Sequence, residues 1–333
     1  MNKVEIFDCT LRDGGNVVGK GFSLELTRLI IAGLLDNGVK TIEYGHPSGI
    51  GGYRKGAGPA PVADLEYLEA GKPFFGRGKI GMFAQPSLTV DADVEKAAEM
   101  GLGFLRVGTN AGDAASAGPL TGKIIASGME ARFSLMKAYV LPPDKLADEA
   151  RKVESFGAVG VTIMDSAGCM FPDQVRNYAE VLSRAVKIPV GIHSHNNMGL
   201  CVANALGALE GGALSVDTGL MGMARSVGNI PTEVMTAALH RLGKAEEVDL
   251  YGLIAFIDGT LAPRMEEFGY KAAISTLELI LGYSGCHSNF LNTFREVARE
   301  RKVDLYRLIV EVSRKDRKSP SRELMETVAL NLK

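Results

Sequence analysis

The stretch Phe7-Asp8-Cys9-Thr10-Leu11-Arg12-Asp13-Gly14-Gly15-Asn16 sets an arginine beside an aspartate. Two glycines follow, residues that let backbone come close to a ligand. Far downstream, Gly191-Ile192-His193-Ser194-His195-Asn196-Asn197 closes an apolar run with two histidines separated by one residue. Side chains alternate along a strand, so His193 and His195 point to the same side. Two imidazoles on one face, joined by one carboxylate from elsewhere in the chain, are the donors of a divalent-metal site. Asn229, in Ser226-Val227-Gly228-Asn229-Ile230-Pro231-Thr232-Glu233, is a further site candidate. Its competing reading is a loop before a helix that Thr232 caps.

Other stretches have blander readings. Gly51-Gly52-Tyr53-Arg54-Lys55-Gly56-Ala57-Gly58 looks like a phosphate loop but lacks the GxxxxGK[ST] pattern. It reads as a mobile lid over the site, or as a plain flexible loop. Cys9 has no base beside it and reads as packing. Lys137 offers an amine for a Schiff base, with a salt bridge as the default. His240 reads as an exposed helix residue.

The elements that must position these residues alternate strand and helix eight times. Strands are predicted at Val4–Asp8, Thr41–Tyr44, Lys79–Phe83, Phe104–Val107, Arg132–Tyr139, Gly160–Met164, Pro189–His193 and Ser215–Asp217. Helices are predicted at Ser23–Asn37, Ala63–Ala70, Asp91–Met100, Leu120–Gly128, Pro143–Phe156, Pro172–Ala185, Gly199–Glu210 and Pro231–Leu242. Many of these helices stop at glycine: Gly38, Gly71, Gly101, Gly128, Gly157 and Gly211. The pattern is that of a (β/α)8 TIM barrel. A doubly wound sheet is the rival, and no GxGxxG follows the first strand.

Barrel chemistry sits at the carboxyl ends of strands. Arg12, Asp13, Glu43, His46, Arg106, Lys137, Tyr139, Asp165, Ser166, His193, His195 and the loop Met223–Asn229 all fall there. From Glu246 the pattern is helical only, over Leu250–Leu261, Ser275–Leu281, Asn289–Glu300, Val303–Ser313 and Glu323–Leu330. The expected division is a metal-binding catalytic barrel over 1–245 and a helical C-terminal domain over 246–333.

The size fits this plan: 333 residues, 46% of them hydrophobic, with 40 glycines for tight loops. A net charge of −2 argues against nucleic acid or a membrane surface as partner. The four cysteines show no CxxC spacing and read as reduced thiols of a cytoplasmic protein. Residues 1–20 hold no basic leader with an apolar core. No apolar run approaches the roughly 18–20 residues of a membrane helix.

Asp8-x-Thr10-Leu11-Arg12-Asp13-Gly14 together with His193-x-His195-Asn196 resembles the DRE-TIM metallolyase superfamily. Within it, Asp165-Ser166-Ala167-Gly168, Val202-Ala203-Asn204-Ala205 and the C-terminal stretches around Asp249-Leu250-Tyr251, Leu281-Gly282-Tyr283-Ser284-Gly285 and Ser288-x-Phe290-Leu291 are similar to the 4-hydroxy-2-oxovalerate aldolases. The resemblance implies Asp13, His193 and His195 as ligands of a divalent metal, Mn²⁺ before Co²⁺ or Mg²⁺, with Asn229 contributing. It implies Arg12 as the group that stabilises an enolate; Arg12, Asn16, Ser166 and Tyr283 are the residues expected to bind substrate. The implied reaction cleaves, or forms, a 4-hydroxy-2-oxo acid to pyruvate plus an aldehyde through a metal-stabilised pyruvate enolate. The implied partner of the helical domain is an acylating aldehyde dehydrogenase, and the implied assembly is a homodimer.

Two positions depart from the family pattern. A histidine base usually follows the Arg-Asp motif, where this chain has Asn16, and a tyrosine is usual where it has His287. Asparagine takes no proton at neutral pH, whereas histidine, with an ordinary pKa near 6.5, does. His287 is therefore the expected base, against a reading in which it only hydrogen-bonds at a helix start. Two alternatives stand: a Claisen-type synthase or lyase acting on acyl-CoA and 2-oxo acids, and a non-catalytic subunit that binds a dehydrogenase.

Overall fold

The computed structural model describes residues 3–54 and 62–332. The Gly51–Gly58 stretch expected to form a lid lies, from residue 55 on, outside the described residues.

Eight parallel strands form a closed barrel in sequence order: β1 Glu5–Asp8, β2 Thr41–Tyr44, β3 Lys79–Ala84, β4 Phe104–Asn110, β5 Glu130–Met136, β6 Val161–Asp165, β7 Val190–Ser194 and β8 Ser215–Thr218. The ring closes where β1 pairs β8 in register from Glu5 with Ser215 to Asp8 with Thr218. The predicted TIM barrel is therefore what forms. The fifth strand stops earlier than its sequence suggests. It ends at Met136, because Lys137 takes a left-handed φ of 56° and Tyr139 lies in a short 3-10 turn. Lys137 is exposed, and its amide donates to Ser166 Oγ at 3.0 Å.

Helices cover the outside, each from an apolar stripe. In Leu24–Asp36 the buried positions include Leu26, Ile30, Ile31, Leu34 and Leu35, and Ser23 caps the first turn by accepting from Leu26 N. Gly38 (φ 89°) ends that helix in the left-handed region as predicted. Gly211 does not: its φ is negative, and it is glycine because a Cβ there would lie 2.3 Å from the Arg176 carbonyl oxygen.

Two compact units emerge: Met1–Thr236 with Lys244–Lys271, and Ala237–Gly243 with Ala272–Lys333. This differs from a boundary at residue 246. The helices Leu250–Phe256 and Ala262–Glu266 belong to the first unit because they pack on its first outer helix. Asp249 N bonds Asn37 O at 2.9 Å, and Gly33 leaves room for the Phe256 ring. In the second unit, Thr276–Ser284, Leu291–Arg301, Leu305–Lys315 and Arg322–Leu330 bury Ile280, Phe294, Leu308, Val312 and Met325. Ser275, Asp304 and Ser321 cap three of these helices. Among the described residues no helix is long and apolar enough to cross a membrane.

Candidate active site

Alternation along the strands points Glu5 and Phe7, Thr41 and Glu43, Phe104 and Arg106, and Asp217 into the barrel lumen. Charged groups so placed survive only when paired. Arg106, 1% exposed, donates from Nε to Glu43 Oε2 at 2.7 Å and from Nη2 to Glu43 Oε1 at 2.8 Å. Its Nη1 donates to Asp217 Oδ2, and Nη2 lies 3.2 Å from Cys9 Sγ. The guanidinium sits 4.2 Å from the centre of the Phe7 ring. Glu43 also accepts from Arg12 Nε at 2.6 Å. Burial pushes the Glu43 and Asp217 carboxyls up, but Arg106 with Arg12 at Glu43, and Arg106 with His193 at Asp217, outweigh it and hold both below the ordinary carboxylate range. Cys9 is packing as expected, with its thiol pushed well up by burial.

Above this layer, Thr10–Asp13 is one helical turn rather than an open loop. Thr10 N donates to Asp8 Oδ1 at 2.9 Å, and Asp13 N donates to Cys9 O at 2.9 Å, which folds Asp13 back over the lumen. Gly14 and Gly15 face other loops of the protein at close range. A Cβ on Gly14 would stand 3.0 Å from Met223 Cβ, and one on Gly15 would stand 2.8 Å from Pro47 Cγ. Both are small so that neighbouring loops can close. Thr232 is the first residue of the helix Thr232–Arg241. Its hydroxyl donates to Asp8 Oδ2 at 2.8 Å.

His193 and His195 lie on the same side, their ring centres 5.1 Å apart. His193 Nδ1 is 3.0 Å from Asp217 Oδ2. Ionised Asp217 can only accept, so Nδ1 carries the hydrogen and Nε2 faces Asp13 Oδ2 at 3.5 Å. His195 Nδ1 lies 3.3 Å from Gly228 O, which also only accepts. Its Nε2 therefore carries the free lone pair. It is buried, lacks a hydrogen-bond partner, and stands 3.8 Å from Asp13 Oδ2. Burial, helped by His193, lowers the His195 pKa to about 4, so the ring is neutral. Asn229 donates from Nδ2 to Asp13 Oδ2 at 3.0 Å, and its buried Oδ1 has no partner.

Asp13, His193 and His195 thus offer one oxygen and two nitrogens within 4.8 Å of one another. A buried acceptor left unmatched costs about 1–3 kcal/mol. Two such acceptors around one carboxylate fit a divalent cation that takes N and O ligands. A second donor group, Cys9 with His193 and Asp217, is also close enough for a metal. The Arg106 guanidinium already fills that position.

Arg12, 4% exposed, places Nη1 3.2 Å from Asp13 Oδ1, while Nη2 is buried and unpartnered. Burial alone would lower its pKa; Asp13 and Glu43 raise it, so the charge is permanent. Asn16 Nδ2 donates to Asp13 O at 2.8 Å and reaches Asp13 Oδ1 at 3.5 Å. Ser166 follows Asp165, whose carbonyl accepts from His195 N at 3.2 Å. The first unit therefore gathers Arg12, Asp13, Asn16, His193, His195 and Asn229 around one carboxylate. Tyr283 and His287 belong to the second unit. There Tyr283 O lies 3.4 Å from Arg241 Nη1, and exposed His287 accepts from Asn289 N at 3.2 Å, capping the turn Ser288–Phe290. The hydrogen bond foreseen at a helix start is present. Asp217 went unnoticed in the sequence. Its signal is a charged residue in lumen phase on a strand otherwise buried.

A family model described as HMGL-like matches residues 3–258. The chain is 37% identical to 4-hydroxy-2-oxovalerate aldolase of Carboxydothermus hydrogenoformans, over 99% of this chain and 97% of that protein. It is 34% identical to 4-hydroxy-2-oxovalerate aldolase of Thermomicrobium roseum, over 98% and 91%. The structure of HMG-CoA lyase from Bacillus subtilis superposes with a TM-score of 0.68 at 18% identity, covering 85% of this chain and 99% of that one, which speaks for the barrel alone. A match over most of the chain and relatives aligned end to end agree with the residues gathered in the lumen: this chain belongs to the HMGL-like family.

Proposed function

We propose that the protein is a divalent-metal-dependent aldolase that splits a 4-hydroxy-2-oxo acid into pyruvate and an aldehyde. The observation that carries this reading is the unpartnered Nε2 of His195 and Oδ1 of Asn229 beside Asp13, with the unpartnered Nη2 of Arg12 next to them. A divalent cation bound by Asp13, His193 and His195, Mn²⁺ before Co²⁺ or Mg²⁺, would supply Lewis-acid polarisation of the substrate's keto group. The relatives' printed names, 4-hydroxy-2-oxovalerate aldolase, support the substrate class.

In the cleavage direction a base takes the C4 hydroxyl proton. The C3–C4 bond breaks, the aldehyde leaves, and negative charge develops on the pyruvate enolate. Arg12 is held in place by Glu43 and Asp13 before the substrate arrives, with one donor to spare. Preorganised donors aimed at developing charge carry the largest share of such catalysis. Asn229 and Asp217 orient Asp13 and His193. His287 is our proposal for the base. In its capping pose a neutral ring has Nδ1 engaged, so the role requires that hydrogen bond to open. Ser166, Asn16 and Tyr283 are proposed to line the substrate's path. A cytoplasmic homodimer and an acylating dehydrogenase that consumes the aldehyde complete the proposal and rest on the resemblance.

The test is pyruvate formation from 4-hydroxy-2-oxopentanoate and related acids, with Mn²⁺ and after EDTA treatment. Turnover that disappears with EDTA and returns with metal supports the reading. Full activity in metal-free protein, or calorimetry showing that Asp13→Ala and His193→Ala bind Mn²⁺ as the unaltered protein does, overturns it.

A further inference from the structure

The Asp13 carboxylate has two unlike sides. Its Oδ2 meets His193, His195 and Asn229. Its Oδ1 meets Arg12 Nη1 at 3.2 Å, Asn16 Nδ2 at 3.5 Å and Arg225 Nε at 4.0 Å. Among the described residues the side-chain atoms that face Oδ1 are nitrogen donors, two from guanidinium groups and one from an amide. Arg12 is buried, whereas the Arg225 side chain is 56% exposed, so the two cations stand at different depths along one path.

Arg225 adds little to Asp13. At 4.0 Å their pair is too long for a direct hydrogen bond, and Arg12 and Asn229 already hold that carboxylate. Yet the loop is built to keep Arg225 near the site. Ser226 adopts a left-handed φ of 61°, unusual for a residue with a side chain, and its hydroxyl accepts from Asn197 Nδ2 at 2.8 Å. Gly228 (φ 99°) turns the chain so that its carbonyl faces His195. Among the described residues the carboxylate that Arg225 faces is Asp13, at 4.0 Å, and Arg12 already pairs with that same oxygen at 3.2 Å, so the Arg225 guanidinium is left to meet another anion.

We infer that Arg225 recognises a second anionic group at the aldehyde end of the substrate, so that the substrate is a 4-hydroxy-2-oxo acid whose aldehyde half carries a carboxylate or phosphate. This rests on the aldolase reading. The chelating end of the substrate lies on the buried Oδ2 side, its tail runs outward past Arg12, and the tail's anion meets Arg225. Cleavage is unchanged in kind. The C4 hydroxyl loses its proton and becomes the carbonyl of an acidic aldehyde. The C3–C4 electron pair passes into the enolate, and C3 takes a proton to give pyruvate.

Two substrates of equal chain length test this: 4-hydroxy-2-oxoadipate, which yields pyruvate and an acidic aldehyde, and 4-hydroxy-2-oxohexanoate, which yields pyruvate and a neutral one. The full chain loaded with Mn²⁺ should prefer the adipate in kcat/KM. In Arg225→Ala that preference should fall by about 10- to 100-fold, the size of a charge-assisted hydrogen bond, mainly through KM. Arg225→Lys should keep part of it, since the charge stays and the fork is lost. Calorimetry with the non-cleavable pair 2-oxoadipate and 2-oxohexanoate should show the same loss of preference without turnover. A preference ratio unchanged within about twofold in Arg225→Ala, or none in the unaltered protein, overturns the inference while pyruvate formation leaves the aldolase reading intact. If neither substrate gives pyruvate and neither 2-oxo acid binds, both fall.

Discussion

Arg106 grips both oxygens of Glu43, at 2.7 and 2.8 Å, from the adjacent-but-one strand of the barrel. Through Glu43 it fixes Arg12, and through Asp217 it fixes His193, so one buried guanidinium sets the aim of two groups in the candidate site.

Loss of that guanidinium should therefore show in metal binding as well as in stability. Arg106→Met strands two buried carboxylates and should cost about 3–5 kcal/mol. Arg106→Lys keeps a charge but not the fork. It should remain folded and bind Mn²⁺ about 10- to 100-fold more weakly, the usual effect of disturbing a ligand's hydrogen-bond partner. Thermal melts and calorimetric titration measure the two effects. Unaltered Mn²⁺ affinity in folded Arg106→Lys would remove Arg106 from the site's architecture.

Arg12→Lys tests electrostatic stabilisation of the enolate. Lysine cannot bridge Glu43 and Asp13 and still present a spare donor. A fall of about 10²–10³ in kcat, with little change in KM, is expected. A loss confined to KM would instead mark Arg12 as a ground-state binding group.

His287 separates two roles. If it is the base, His287→Ala should lower kcat and remove a limb from the pH–rate profile. If it only caps Ser288–Phe290, the same change should cost about 0.5–2 kcal/mol of stability in the helical unit and leave the profile alone.

Glu233 gives a pH signature in stability. Burial pushes its carboxyl up to about 7, although the Met221 amide donates to it at 3.1 Å. Between the ordinary 4.5 and about 7 the folded state holds a proton that the unfolded chain has released. Stability attached to this group is therefore full below that window and declines as pH rises through it, by roughly 3 kcal/mol. Glu233→Gln keeps an acceptor for Met221 and has nothing to ionise. Denaturant unfolding at about pH 5 and about pH 8 should show a smaller decline in the variant. Identical slopes would mean that Glu233 does not stay protonated in the fold.

Local pattern settled much of this molecule. Alternation and glycine stops placed all eight strands within a residue or two at their starts, and the spacing of His193 and His195 put them on one face whatever the tertiary structure. Arg12 and Asp13 were legible as neighbours at a strand end. What only folding decided is which groups meet. Asn229 and Asp13 are 216 residues apart, and Arg106 and Glu43 are 63 apart, and no local period encodes such pairs. The tautomers of both histidines, the packing role of Gly14 and Gly15, and the place of the helices after residue 246 follow from those encounters. A strand's period of two says which way a side chain points; closure of the ring says what it finds there.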